Sequence, residues 1–168
     1  ENSVHSTPPT LAATVDDSAS GNSNVSTASY KVIQGVYDSG WQTASLSGSG
    51  ASRTVSQAIS STIWNALVEG NITVQIQGVD AAGNTGTASR ILKVDATAPA
   101  VTLTSPAASS RHKTAPTMTG TIDDTGKGNS DVTSADYKIT QSPSYDSGWQ
   151  SLTLSASGVA RTFNQAVS

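Results

Sequence analysis

The hexapeptide Tyr-Asp-Ser-Gly-Trp-Gln occurs twice, at 37–42 and again at 145–150. A longer passage repeats around it. Asp16-Asp17 returns as Asp123-Asp124 and Tyr30-Lys31 as Tyr137-Lys138, both 107 residues later. Arg53-Thr54 returns as Arg161-Thr162, 108 residues later, so one residue has entered the loop ahead of Tyr145. This period is too long for the roughly 20–50-residue unit of a solenoid and fits one small β domain. Two tandem domains are therefore expected in 168 residues.

Alternation of apolar and polar residues supplies the strands. Leu11, Ala13 and Val15 share one face of a first run, matched by Met118, Gly120 and Ile122. Each run ends in Asp-Asp and a Gly/Ser/Asn-rich loop whose side chains favour turns. Tyr30 and Val32, or Tyr137 and Ile139, share the next face. Ala44 and Leu46, or Leu152 and Leu154, form a strand after the tryptophan, and Val55 and Ile59, or Phe163 and Val167, another. Trp41 and Trp149 are out of phase with their strands, which places them at a bulge or on the outer face. Only the first copy continues. Ile63, Trp64, Leu67 and Val68 read as a short plug closing one end of the core. Ile72, Val74, Ile76 and Gly78, then Leu92 and Val94, give two further strands.

The composite unit has seven strands, beginning with one that carries Val101 and Leu103. Seven short alternating strands in about 100 residues point to an immunoglobulin-like β-sandwich. The fold class expected is thus all-β: tandem seven-stranded sandwiches, both incomplete in this chain. Residues 1–95 form repeat 1, without the first strand; 96–99 are a linker ending in Pro99; 100–168 form repeat 2, without the last two strands. Such edges are expected to be completed by neighbouring repeats, the chain being a window on a longer array, or by a strand from another chain.

Composition narrows the functional classes. Nine basic and 12 acidic residues give a net charge of −3, with no basic stripe to hold nucleic acid. No stretch approaches the roughly 18 apolar residues of a membrane span. With no cysteine, disulfides, thiolate metal sites and cysteine catalysis are excluded. No Gly-x-Ser-x-Gly elbow, phosphate-binding loop or dinucleotide fingerprint is present, so no enzyme activity is expected. The absence of a signal peptide and the start at Glu1 suggest a piece of something longer.

Several segments carry a family likeness. Val101-Thr-Leu-Thr-Ser-Pro106, the Thr-x-x-Asp-Asp strand end, Val79-Asp-Ala-Ala-Gly-Asn84 and Val94-Asp-Ala-Thr-Ala-Pro99 resemble the immunoglobulin-like tandem repeats of large bacterial surface proteins and adhesins, of the type I-secreted, RTX-adhesin kind. The resemblance implies a secreted or cell-surface location. It also implies a role as a structural extender that projects a binding domain from the cell, that domain meeting any glycan or host ligand. It further implies Ca²⁺ held by acidic residues near domain junctions.

In a sandwich of this kind the loops after the second and sixth strands lie at one end, which would bring Asp16 and Asp17 toward Asp80 and Asn84. Asp95, at the start of the linker, would approach Asp123 and Asp124, with Asp131 adding a carboxylate that repeat 1 replaces by Asn24. Carboxylates with backbone carbonyls suit Ca²⁺, which takes six to eight oxygens. The competing reading is that each Asp caps its own turn. Trp41 and Trp149 could stack on sugar faces, making the chain a carbohydrate-binding module; the competing reading lays each ring across its own sheet. A third reading is a strand-donating subunit of an extracellular filament. His5 and His112 read as solvated loop residues, and Gln57 and Gln165 as amides bonded to loop backbone.

Overall fold

In the computed structural model, which describes residues 3–167, the period-2 runs become strands in two compact units, Glu1–Ala96 and Thr97–Ser168. Unit 1 contains β1 (Val4–His5), β2 (Thr10–Asp16), β3 (Val25–Gln34), β4 (Tyr37–Asp38), β5 (Gln42–Ala44), β6 (Leu46–Ser47) and β7 (Ser52–Ala58). A single helical turn, α1 (Ser61–Trp64), then leads to β8 (Gly70–Asp80) and β9 (Thr85–Val94). One sheet runs β1-β9-β8-β3-β4, with β5 also paired to β3; the other runs β2-β7-β6. Their facing residues form one core: Leu11 and Val55 from one sheet, Tyr30, Val32, Ile72, Val74, Leu92 and Val94 from the other. Val32 and Ile72 are fully buried, each contributing about 1.5–3 kcal/mol through area removed from water. A Cβ on Gly78 would overlap Val15 of the opposite sheet, so this glycine sets how closely the layers approach there.

Ala44 and Leu46, expected on one strand, belong to two. β5 pairs with β3 in one sheet and β6 with β7 in the other, so the chain changes sheets at Ser45. The Gln57 amide holds that crossover: its Oε1 accepts from Ser45 N–H at 3.1 Å and from Ser45 Oγ at 3.2 Å. Alternation alone could not show the switch, because both pieces keep the same inward phase.

The plug is present and smaller than expected. Ser60 caps α1 by accepting from Ile63 N–H at 3.3 Å, and Ile63, Trp64 and Leu67 are buried. Val68 is 66% exposed. The Gln34 amide clamps its backbone, accepting from Val68 N–H and donating to Val68 C=O, both at 2.8 Å, which leaves the side chain in solvent.

Residues ahead of β2 carry a strand that the sequence pattern did not disclose. Val4–His5 lies parallel to β9, with Lys93 N–H donating to Ser3 C=O and Asp95 N–H to His5 C=O, both at 2.9 Å. Two residues are too few to display a period. By the 107-residue offset this segment matches Arg111-His112 rather than the Val101 strand, and β2 pairs with β7 alone.

Unit 2 comprises β10 (Ala100–Ser105), β11 (Thr117–Asp123), β12 (Asp136–Tyr137), β13 (Thr140–Gln141), β14 (Tyr145–Asp146), β15 (Gln150–Ser151) and β16 (Ala160–Ala166). β11 lies between β10 and β16. β12 pairs with β15 and β13 with β14, and a bridge joins Leu154 to Phe163. The core is small: Ile122, Val132 and Phe163, packed by Met118, Ala135, Leu152 and Leu154. The chain is thus all-β apart from one helical turn, among the described residues.

Candidate functional site

The repeated hexapeptide forms the same hydrogen-bonded corner in both units. Ser39 N–H donates to Val32 C=O at 3.0 Å, and Ser39 Oγ accepts from Val32 N–H at 2.9 Å. The same hydroxyl donates to Gly40 C=O, Asp38 Oδ1 accepts from Gly40 N–H at 2.8 Å, and the Gln42 amide donates to Ser39 C=O. Ser147, Asp146, Gly148 and Gln150 repeat each bond around Ile139. Gly40 and Gly148 hold φ of 64° and 65°, a conformation that side-chain-bearing residues adopt at a cost. The residue gained in repeat 2 lies just ahead of the corner. Gly35-Val36 joins β3 to β4, whereas Ser142-Pro143-Ser144 joins β13 to β14.

The tryptophans leave this corner on the outer surface. Trp41 is 41% exposed, with Lys31 Nζ 5.2 Å from its ring centroid; Lys31 also pairs with Asp38 at 3.4 Å. Trp149 is 72% exposed and Tyr145, four residues earlier, 55%, while Lys138 pairs with Asp146 at 2.8 Å. That ion pair, ahead of the Gly148 N–H bond, holds the Asp146 carboxyl below its ordinary value near 3.8.

Five of the carboxylates proposed for a cation, Asp16, Asp17, Asp80, Asp123 and Asp124, take hydrogen bonds inside their own loops. Asp16 Oδ1 accepts from Ser18 N–H at 2.9 Å, and Asp123 Oδ1 from Thr125 N–H at 2.8 Å. Bonds to the side chain and N–H of those residues hold both carboxyls below the ordinary range, Lys127 adding a smaller charge effect at Asp123. Asp17 Oδ2 accepts from Ser23 N–H at 2.7 Å and Asp124 Oδ2 from Ser130 N–H at 2.6 Å. These loops fold around Asn22 and Asn129, both with positive φ. Asp80, buried at the end of β8, accepts from Asn84 N–H at 2.8 Å and from its amide at 2.9 Å, and the amide depresses its pKa most. The structure does bring the Asp17 and Asp80 loops together, through Ala81 N–H donating to Asn24 C=O at 2.8 Å. Asp95 is buried after β9 and Asp131 is exposed. Among the described residues no three acidic or imidazole groups converge as a metal site requires. His5 and His112 each bond the hydroxyl two residues earlier, Ser3 and Ser110, at 2.7 Å.

Sequence reasoning gave no role to the paired arginines. Arg53, on β7, donates to Val25 C=O at 3.2 Å and Leu46 C=O at 3.4 Å. Arg161 repeats this with Val132 at 2.8 Å and Leu154 at 3.3 Å, and adds Ser155 C=O at 2.7 Å. In unit 1 the guanidinium ties the second sheet to the first residue of β3. The available signal was the recurrence itself: a half-buried charge kept in register with a core strand.

No family model, curated protein or solved structure matches this chain. The two copies within the chain therefore provide the comparison on which a functional reading rests.

Proposed function

We propose that the chain is part of a tandem array of immunoglobulin-like domains that serves as a structural extender in a bacterial extracellular or cell-surface protein, spacing a binding domain from its anchor. The observation that carries this reading is that the polar residues recurring at the repeat offset are engaged in holding the fold. The Ser39 and Ser147 corners, the Asp17 and Asp124 loops and the Arg53 and Arg161 ties occupy matching positions with matching bonds. The units also have complementary contents. Among the described residues, unit 1 has the β8–β9 hairpin and no strand on the outer edge of β2; unit 2 has β10 on the matching edge of β11 and no counterpart of the β8–β9 hairpin. Superposing the two inventories supports a seven-stranded domain read out of frame. The bacterial surface location is supported by the resemblance of Val79–Asn84 and Val94–Pro99 to adhesin repeats.

Small-angle scattering on chains of one, two and four such domains tests the extender role. Maximum dimension is expected to rise in proportion to domain number; growth with the cube root of mass, as in one merged globule, would sink it. Ca²⁺ enters as an accessory that uses carboxylate oxygens and loop carbonyls beyond those already bonded. Its signature is a melting temperature that rises with Ca²⁺ and falls with EDTA; indifference to both, with Asp95→Asn and Asp123→Asn neutral, removes it. A second reading, glycan contact, is favoured by the exposure of Trp149 and Tyr145 within one repeated hexapeptide.

A further inference from the structure

Unit 2 carries an open apolar groove of 330 Å³ lined by Val101, Leu103, Met118, Tyr137, Leu152 and Phe163 among others. Val101 and Leu103 are 68% and 57% exposed. In unit 1 the four matching residues are all buried, whereas in unit 2 Tyr137 and Phe163 are buried but Met118 and Leu152 only half-buried. Leu11, Tyr30, Ala44 and Val55, the counterparts of Met118, Tyr137, Leu152 and Phe163, share one buried core with Ile72, Val74, Leu92 and Val94 of the β8–β9 hairpin. Val32 there is fully buried, whereas its counterpart Ile139 is only half-buried.

The backbone beside the groove is open too. Leu152 N–H donates to Ala135 C=O at 2.8 Å, and Ser147 Oγ accepts from Ile139 N–H at 2.9 Å. Peptide groups alternate sides along a strand, so those of Asp136 and Lys138 point the other way. In unit 1 the equivalent residues, Ser29 and Lys31, face β8 in the register Ser29↔Gln77 and Lys31↔Gln75. No strand pairs on that side in unit 2, among the described residues.

From this juxtaposition of groove and edge we infer that unit 2 is an acceptor for one antiparallel β-hairpin with branched aliphatic residues at alternate positions, the chemistry of Gly70–Val94. The hairpin is linked to β16 as β8–β9 is linked to β7: β7 ends at Ala58 and β16 at the matching Ala166. The inference rests on the two units being copies of one domain. Main-chain bonds along the edge would give affinity, and the inward Ile/Val/Leu set would give specificity.

The test appends a second copy of residues 61–95 after residue 168 of the full chain, since Val167 and Ser168 already match Ile59 and Ser60. The protein has no cysteine, so Leu103→Cys introduces a single reporter thiol in the groove. With the graft, alkylation of that thiol is expected to slow by about tenfold or more, and amide exchange at Asp136 and Lys138 by about a hundredfold. A graft carrying Ile72→Asp and Val74→Asp in the added copy should leave both at the ungrafted rate. Unchanged rates with the unmodified graft overturn the inference. So do slow rates in an ungrafted chain that sediments as a dimer, since a second copy would then be the occupant. Neither result alters the growth of dimension with domain number, so failure here is distinguishable from failure of the extender reading.

Discussion

Ala13 and Gly120 occupy the same place in the two units and show how one design answers two surroundings. Ala13 sits on β2, whose outer edge is unpaired among the described residues, opposite Val55. Gly120 sits on β11 between Leu103 of β10 and Phe163 of β16. A Cβ there would overlap the Thr102 carbonyl and the Phe163 ring. The added strand and the larger ring use the volume that the Ala13 methyl occupies in unit 1. Core packing is thus adjusted to whichever strands are present, while the serine corners and the Asp17 and Asp124 loops keep matching bonds.

The sharpest way to break this comparison is Gly120→Ala. The obstructing carbonyl belongs to backbone and cannot swing aside, so the substitution is expected to destabilise unit 2 by about 3 kcal/mol. Its mirror, Ala13→Gly, should cost unit 1 only about 0.5–1 kcal/mol, chiefly from backbone entropy. Denaturant unfolding that resolves the two units reads both, and equal effects would show that the matched positions are not differently packed.

The corner serine gives the next largest effect. Ser39→Ala removes the acceptor of Val32 N–H, and Ser147→Ala that of Ile139 N–H. Leaving a poorly solvated N–H unpaired is expected to cost about 1–2 kcal/mol in each unit. Equal losses sharpen the view that the hexapeptide is architecture. A loss confined to one unit would mean that the motif has diverged in role despite its shared bonds.

These cases show what the sequence could and could not disclose. The all-β class, the repeat and the inward faces of β2, β3, β7 and β8 were legible because apolar alternation is a local property read at period 2. The Ser45 crossover was not, since changing sheets leaves that phase intact and only the distant Gln57 marks it. Val68 was misplaced because its burial is decided by the Gln34 amide, 34 residues away. At the acidic loops the sequence left two readings open, cation ligand or turn cap. Asp-x-Ser and Asp-x-Thr spacing suits a turn-capping carboxylate as well as a ligand, and the structure shows the capping bonds at Asp16 and Asp123.

Acid should act on both units alike. The Asp16 and Asp80 carboxyls in unit 1, and those of Asp123 and Asp146 in unit 2, lie below their ordinary value near 3.8. A folded-state pKa depressed below the unfolded one gives stability that is complete above the unfolded value and lost as pH falls through the folded one. Melting temperatures are therefore expected to be flat from about pH 7 to pH 5 and to drop below about pH 4 in both units. Lys138→Met removes the leading cause of the Asp146 depression and should make the acid limb of unit 2 shallower, because less stability is then lost as the carboxyl is protonated. If the acid loss of unit 2 keeps its size, Asp146 does not contribute to it.

The smallest expected effect separates the two tryptophans. Trp41→Ala loses the ring beneath Lys31 and part-buried contact, for about 1 kcal/mol in unit 1. Trp149, more exposed, should cost less than about 0.5 kcal/mol in unit 2, within the range of ordinary surface changes. A side chain that size, held out in solvent with little return in stability, is where ligand contact would first be detected. A glycan array with the wild-type chain and Trp149→Ala reads this directly. Binding that disappears with Trp149 and survives Trp41→Ala would give unit 2 a recognition role that unit 1 lacks. Absence of binding in the wild type leaves both rings as surface cover on matching corners, differing only in how far the neighbouring loop exposes them.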